Sequence, residues 1–113
     1  MSRKVKPSVS AAILLLPCLI FPSIAFPADP VAGRKLAGQC KTCHGLDGIA
    51  KIPIAPNLAG ESQIYIRNQL KAFRSGKREH EMMTVVARDL TDQQIADVAA
   101  WYESIEVTAK LPE

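Results

Sequence analysis

Residues 40–44 read CKTCH: two cysteines two residues apart, with a histidine directly behind the second. This stretch constrains the chain more than any other. Two thiols and an imidazole within about one helical turn point to a shared task. They could work as a redox dithiol, as part of a structural zinc site, or as the attachment point of a larger cofactor.

The residues before the motif set the compartment. "MSRKVKPSVS" carries Arg3, Lys4 and Lys6 and no acid, and "AAILLLPCLIFPSIA" is almost wholly apolar. Ser23-Ile24-Ala25 then places small residues at the two positions a signal peptidase reads. A positive flank, a short apolar run and a small-x-small end describe a secretory signal. The expected cut falls after Ala25, with Ala28 as the latest position, so the domain runs over residues 26–113. A retained membrane anchor is the competing reading. Pro17 and Pro22 interrupt the apolar run, which falls short of the roughly 20 residues that span a bilayer. Leu15-Leu16-Pro17-Cys18 fits a lipoprotein signal poorly, because Pro17 stands where a small residue is wanted.

Removing residues 1–25 takes away three basic residues and no acid, so 14 basic against 11 acidic become eleven of each. The overall basicity therefore belongs to targeting and gives no argument for nucleic acid. The remaining charge is segregated. Arg67, Lys71, Arg74, Lys77 and Arg78 precede Asp89, Asp92, Asp97, Glu103 and Glu106. Two solvated helix faces or a polarised docking surface would each produce this pattern.

Loss of Cys18 with the signal leaves Cys40 and Cys43. A disulfide between them would close a very small loop and constrain little of the unfolded chain. A thioredoxin-type site needs its cysteines at the start of a helix in a βαβ setting. No strand pattern of useful length occurs here. Zinc needs four ligands, which Cys40, Cys43, His44 and His80 could supply, but their spacing matches no common zinc site. C-x-x-C-H is also the attachment site of a covalent haem. Each thiol would add to one porphyrin vinyl group, and the adjacent histidine would bind the iron. With an export signal upstream, haem c is the favoured reading, with zinc and redox thiols as the alternatives.

The rest of the chain reads as a small all-α domain. Asp29-Pro30 suits a helix start, Asp as cap and Pro at the first helical position. Ala32, Leu36 and Cys40 then recur at helical spacing. Gly33 and Gly38 weaken this helix by up to about 1 kcal/mol each relative to Ala, which suggests a close approach or simple tolerance. The sixteen residues Gly45–Gly60 lack any period and hold two prolines and three glycines. A loop of that length in a small domain is usually functional or wrapped around something; wrapping a macrocycle's edge, in place of packing on itself, would account for it. Residues 62–75 predict a second helix, with Ile66, Leu70 and Phe73 on one face and Gly76 at its end. Residues 77–90 form a second loop with at most one helical turn. Thr91-Asp92-Gln93-Gln94 is a capping-box pattern, opening a third helix to Glu103 with Ile95, Val98, Ala99 and Tyr102 as its apolar face. A domain this small, with two Phe and one Trp in residues 26–113, gains from a covalently held apolar cofactor. His80, Met82 and Met83 are the candidates for a sixth iron ligand, unless that position is open.

The segments "AGRKLAGQCKTCHGLDG", "PNLAG", "YIRNQLKAFRSGKR" and "MMTVVARDLTDQQIADVAAWY" resemble the class I cytochromes c, in family order and over nearly all of residues 26–113. The likeness is to the small periplasmic monohaem kind and to one half of the bacterial dihaem cytochromes. It implies a cytochrome c fold, with three main helices and loops around one covalently bound haem c. It also implies haem thioethers at Cys40 and Cys43, His44 as proximal ligand, and Pro56 holding the His44 ring N–H through its carbonyl. The distal methionine stands seven residues before the leucine of L-[ST]-D, which selects Met83 over Met82. First and last helices pack glycine against aromatic, Gly33 against Trp101 or Tyr102. Tyr65 and Arg78 are candidates for contact with the haem propionates, with ordinary surface or core roles as an equal alternative.

The function implied is single-electron transfer between redox proteins in the periplasm, by a monomer that docks transiently and inserts in no membrane after cleavage. No residue stands out as a catalytic acid, base or nucleophile. Two other expectations stay open: a cytochrome subunit of a larger oxidoreductase, such as a flavin-containing sulfide dehydrogenase or a terminal oxidase, and a haem sensor or peroxidase-like enzyme with an open distal site.

Overall fold

The computed structural model describes residues 26–113. The expected export signal lies outside the described residues. Five α-helices follow in order, without strands among the described residues: α1 Pro30–Leu36, α2 Lys41–His44, α3 Gln63–Ser75, α4 Met83–Ala87 and α5 Asp92–Glu103. A 3-10 turn, Ala37–Gln39, joins α1 to α2.

Local chemistry accounts for the ends of these helices. The Asp29 carboxylate accepts the Val31 N–H at 2.8 Å, and Pro30 occupies the first helical position. Ser62 caps α3, and Gly76 closes it in the left-handed region at φ 77°, where a side chain would be strained. The capping box of α5 is complete: Gln94 N–H donates to Thr91 Oγ1 at 3.1 Å, and Thr91 N–H donates to Gln94 Oε1 at 2.9 Å.

Helices α3 and α5 supply most of the core. Ile66, Leu70 and Phe73 meet Ile95, Val98, Ala99 and Tyr102, with Ala37 and Ala87 added from the shorter elements. Tyr102 and Ile95 are its largest fully buried side chains. On the first helix the buried face runs through Gly33 and Ala37, with Ala32, Leu36 and Cys40 beside it and half-buried. Helix α1 packs against α5 through Gly33. A Cβ added there would collide with the carbonyl group of Asp97 and lie 3.0 Å from Trp101 Cβ. The close neighbour is therefore backbone and a Cβ, not the aromatic ring. Gly38 differs: a Cβ there meets nothing within 4 Å, so tolerance is sufficient reason for it.

Three features depart from the sequence expectation. The first helix does not run on to the cysteines. It ends at Leu36 and tightens, with Cys40 N–H bonded to the Ala37 carbonyl three residues back, before α2 begins. The single helical turn allowed within 77–90 is longer, a five-residue helix, α4, over 83–87. The charge segregation also resolves differently. Asp97 is buried, where its Oδ1 accepts the Asp29 N–H and the Gln93 side-chain amide. Asp92 pairs with Arg74 and Lys71, and Glu103 accepts from Gln63. Part of the basic cluster is thus neutralised within the fold.

Candidate functional site

The short helix α2 carries the motif. Its N-cap is Cys40, and Cys43 and His44 lie in its final turn. Neither cysteine is bonded to the other, and both are half-buried. Cys40 packs against the main core. Burial pushes its thiol up, partly offset by hydrogen bonding with Tyr102; the nearby Cys43 adds to the rise.

His44 is buried. Its Nδ1 lies 2.9 Å from the Pro56 carbonyl oxygen. A carbonyl can only accept, so Nδ1 is the donor, and in the neutral ring Nε2 keeps its lone pair. That is the tautomer a metal-binding imidazole needs, with a carbonyl fixing the ring as an outer partner.

The 45–62 loop makes that bond possible. Gly45 and Gly48 turn the chain at φ 76° and 72°. The Lys51 N–H donates to the Cys43 carbonyl at 2.8 Å, and the Leu58 N–H to the Gly48 carbonyl at 2.7 Å. Asn57 Oδ1 accepts the Ala50 N–H at 2.8 Å. Asp47 accepts from Ile49 and pairs with Lys51, and these contacts hold its carboxyl below the ordinary range. The loop therefore bonds extensively to itself, contrary to the expectation that it would only wrap a partner. That internal order fixes where Pro56 stands. From α5, Trp101 Nε1 donates to the Leu46 carbonyl at 3.0 Å, and the Tyr102 hydroxyl to the Gly45 carbonyl at 3.1 Å. The burial of Tyr102, with lesser contributions from Cys40 and Asp47, holds its phenol well above the usual range.

On the candidate distal side, Met83 opens α4, half-buried and packed against the core. Met82 is 55 % exposed. His80 is exposed, but its Nδ1 accepts the backbone N–H groups of Met82 and Met83 at 3.2 and 3.4 Å. Among the described residues, no three His, Cys, Asp or Glu side chains gather as a metal site. His80 thus does not join Cys40, Cys43 and His44 as a zinc ligand set would require. Arg78 lies over the Phe73 ring at 4.5 Å and donates to Gln69, while Tyr65 is half-exposed. No local pattern signals the Trp101 and Tyr102 bonds, since their acceptors are backbone carbonyls more than fifty residues away.

The donor set fits a covalently bound haem. It offers two thiols at the attachment spacing, a buried imidazole with Nδ1 tied to a carbonyl and Nε2 left as the metal-binding nitrogen of the neutral ring, and a half-buried thioether. A family comparison decides the matter: the cytochrome c family model matches residues 30–106. The chain belongs to the cytochrome c family. It follows that it binds haem c covalently and acts as an electron carrier.

Among relatives of this cytochrome c, cytochrome c-554(548) of Halomonas halodenitrificans is 44% identical over 81 residues, covering 69% of this chain and 98% of the relative. Cytochrome c4 of Thiocapsa roseopersicina is 47% identical over 75 residues, covering 66% of this chain and 38% of the relative. The crystal structure of reduced recombinant cytochrome c4 from Pseudomonas stutzeri superposes with a TM-score of 0.65 at 32% identity, covering 70% of this chain and 46% of that one. The chain thus spans nearly all of the first relative but less than half of either cytochrome c4. No helix among the described residues is long and apolar enough to cross a membrane.

Proposed function

We propose that this cytochrome c is a periplasmic carrier of single electrons. In it Cys40 and Cys43 hold one haem c through thioether bonds, His44 is the proximal iron ligand and Met83 the distal one. The observation that carries the reading is the 2.9 Å bond between His44 Nδ1 and the Pro56 carbonyl. It sets the tautomer and restrains the ring in the form a metal-binding imidazole needs. For the distal position, burial favours Met83, since the more exposed Met82 would have to give up water contact and reorient. The register agrees, because Met83 stands seven residues before Leu90 in Leu90-Thr91-Asp92.

When bound, the haem supplies an iron that gains and loses one electron, and a thioether ligand favours the ferrous state and raises the reduction potential. The protein's part is positional. Pro56 restrains His44, the Trp101 and Tyr102 bonds pin the loop behind the motif, and the α3–α5 core limits water access. Retention of both ligands in either oxidation state would keep structural rearrangement small. Docking to donors and acceptors is then brief, over a small interface.

Residues 1–25 act in this reading as an export signal cut after Ala25. The Pro27 carbonyl accepts from Gln93, and the Asp29 N–H donates to Asp97. A cut after Ala25 leaves both contacts in place, whereas a cut after Ala28 removes the first.

Purification from native periplasm tests the reading directly. A monomer-sized protein with a c-type ferrous spectrum and a near-infrared thioether band in the ferric state is expected. Met83→Ala should abolish that band and Met82→Ala should retain it. A stoichiometric larger assembly would mark a subunit of an oxidoreductase instead. Rapid carbon monoxide binding by the untreated ferrous protein would mark an open distal site.

A further inference from the structure

Helix α4 has five residues, and the Met82 side chain provides no cap for it. A helix that short is not stable alone, and its leading N–H groups need partners. The residues that usually cap a helix start, Ser, Thr, Asp or Asn, are absent from positions 79–82. The imidazole of His80 occupies that place. Its Nδ1 accepts from both Met82 and Met83 N–H. Thr84 completes the arrangement: the His80 N–H donates to Thr84 Oγ1 at 3.0 Å, and the Thr84 N–H donates to the His80 carbonyl at 2.9 Å. Four bonds thus fix residues 80–84 to one another, and Met83 lies among them.

We propose that His80 is a positioning residue for Met83: its ring holds the backbone on which the distal sulfur is carried. The side chain does not itself bind iron in this role. With Nδ1 accepting, its proton sits on Nε2. The inference rests on the assignment of Met83 as distal ligand and goes beyond it, by naming what keeps that ligand in place. Its consequence is resistance to ligand exchange. If the cap is lost, residues 80–84 sample more conformations, and an added small ligand competes more effectively for the iron.

The test uses the haem-loaded protein with His80→Ala, His80→Asn, Thr84→Val and Met83→Ala. The ferric forms are titrated with imidazole, with loss of the near-infrared thioether band as the readout and far-ultraviolet circular dichroism as the check on folding. His80→Ala should lower the half-displacing imidazole concentration about fivefold, the usual scale for a lost cap. His80→Asn should recover most of that loss, since its amide oxygen can accept the same N–H groups. Thr84→Val should shift the titration in the same direction by less. An unchanged titration for His80→Ala, together with loss of the band in Met83→Ala, would overturn the positioning role alone. Equal impairment in His80→Ala and His80→Asn would also overturn it. A band that survives Met83→Ala would remove the ligand assignment and the inference with it.

Discussion

Gly33 of α1 lies directly against the backbone carbonyl of Asp97 in α5, so close that a Cβ on Gly33 would collide with that oxygen. The obstruction is main chain, which cannot rotate aside as a side chain can. Gly33→Ala must therefore push α1 away from α5 or distort α5 itself. Overpacking of this kind costs about 3 kcal/mol at the upper end of its usual range. Thermal unfolding of the haem-loaded variant should show a loss of that order. A loss no greater than that of Gly38→Ala, where a Cβ meets nothing within 4 Å, would mean the helices can slide past each other.

The Tyr102 hydroxyl donates to the Gly45 carbonyl, which also accepts the Gly48 N–H at 3.2 Å. Tyr102→Phe removes the buried donor but leaves the carbonyl one partner. The expected cost is about 1 kcal/mol, the ordinary net value of one hydrogen bond. Denaturant unfolding at neutral pH measures it, and an unchanged midpoint would show that the Tyr102 bond adds nothing.

The contrast between Thr91 and Asp97 shows what was readable in advance. The Thr91 capping box is local, since Gln94 stands three residues away, and four residues of sequence revealed it. The face of α3 was equally plain, because Ile66, Leu70 and Phe73 repeat over two turns. CKTCH identified the cofactor for the same reason: its chemistry lies within five residues. In sequence Asp97 counts among the exposed charges, because a carboxylate usually faces water. Its partner, the Asp29 N–H, is 68 positions away, and no local pattern records that pairing. Helix α4 is too short to display a period, so beyond a single turn somewhere in 77–90 its bounds were not legible. The same holds for His80, whose ring caps α4 through geometry that composition does not encode.

Thr91→Ala tests the part that was legible. It removes the Oγ1 acceptor at the start of α5, the helix that supplies Ile95, Val98, Ala99 and Tyr102 to the core. The loss should be about 1 kcal/mol, and Thr91→Ser or Thr91→Asn should restore most of it. Thermal melts of the three variants in one buffer compare them directly. Equal melting of Thr91→Ala and the parent protein would show that the packing of α5 alone fixes its start.

Asp92 carries the pH dependence of the α3–α5 contact. Arg74, through a hydrogen bond, and then the charges of Lys71 and Arg74 hold its carboxyl below the usual carboxylate range. A carboxyl whose folded pKa is depressed contributes stability above its unfolded pKa and loses it as pH falls through the folded value. The unfolded value is about 3.9, so the contribution is complete at neutral pH and declines below about pH 4. Asp92→Asn should therefore melt earlier than the parent protein at pH 7. The gap should narrow as the medium is acidified below that range. Salt should shrink it at neutral pH, because the pair is exposed to solvent. Arg74 also donates to the Leu90 carbonyl at 2.7 Å, a bond that needs no carboxylate, so Arg74→Met should remain destabilised at acid pH where Asp92→Asn does not. Parallel pH dependence of the two variants would show that the guanidinium acts through Asp92 alone.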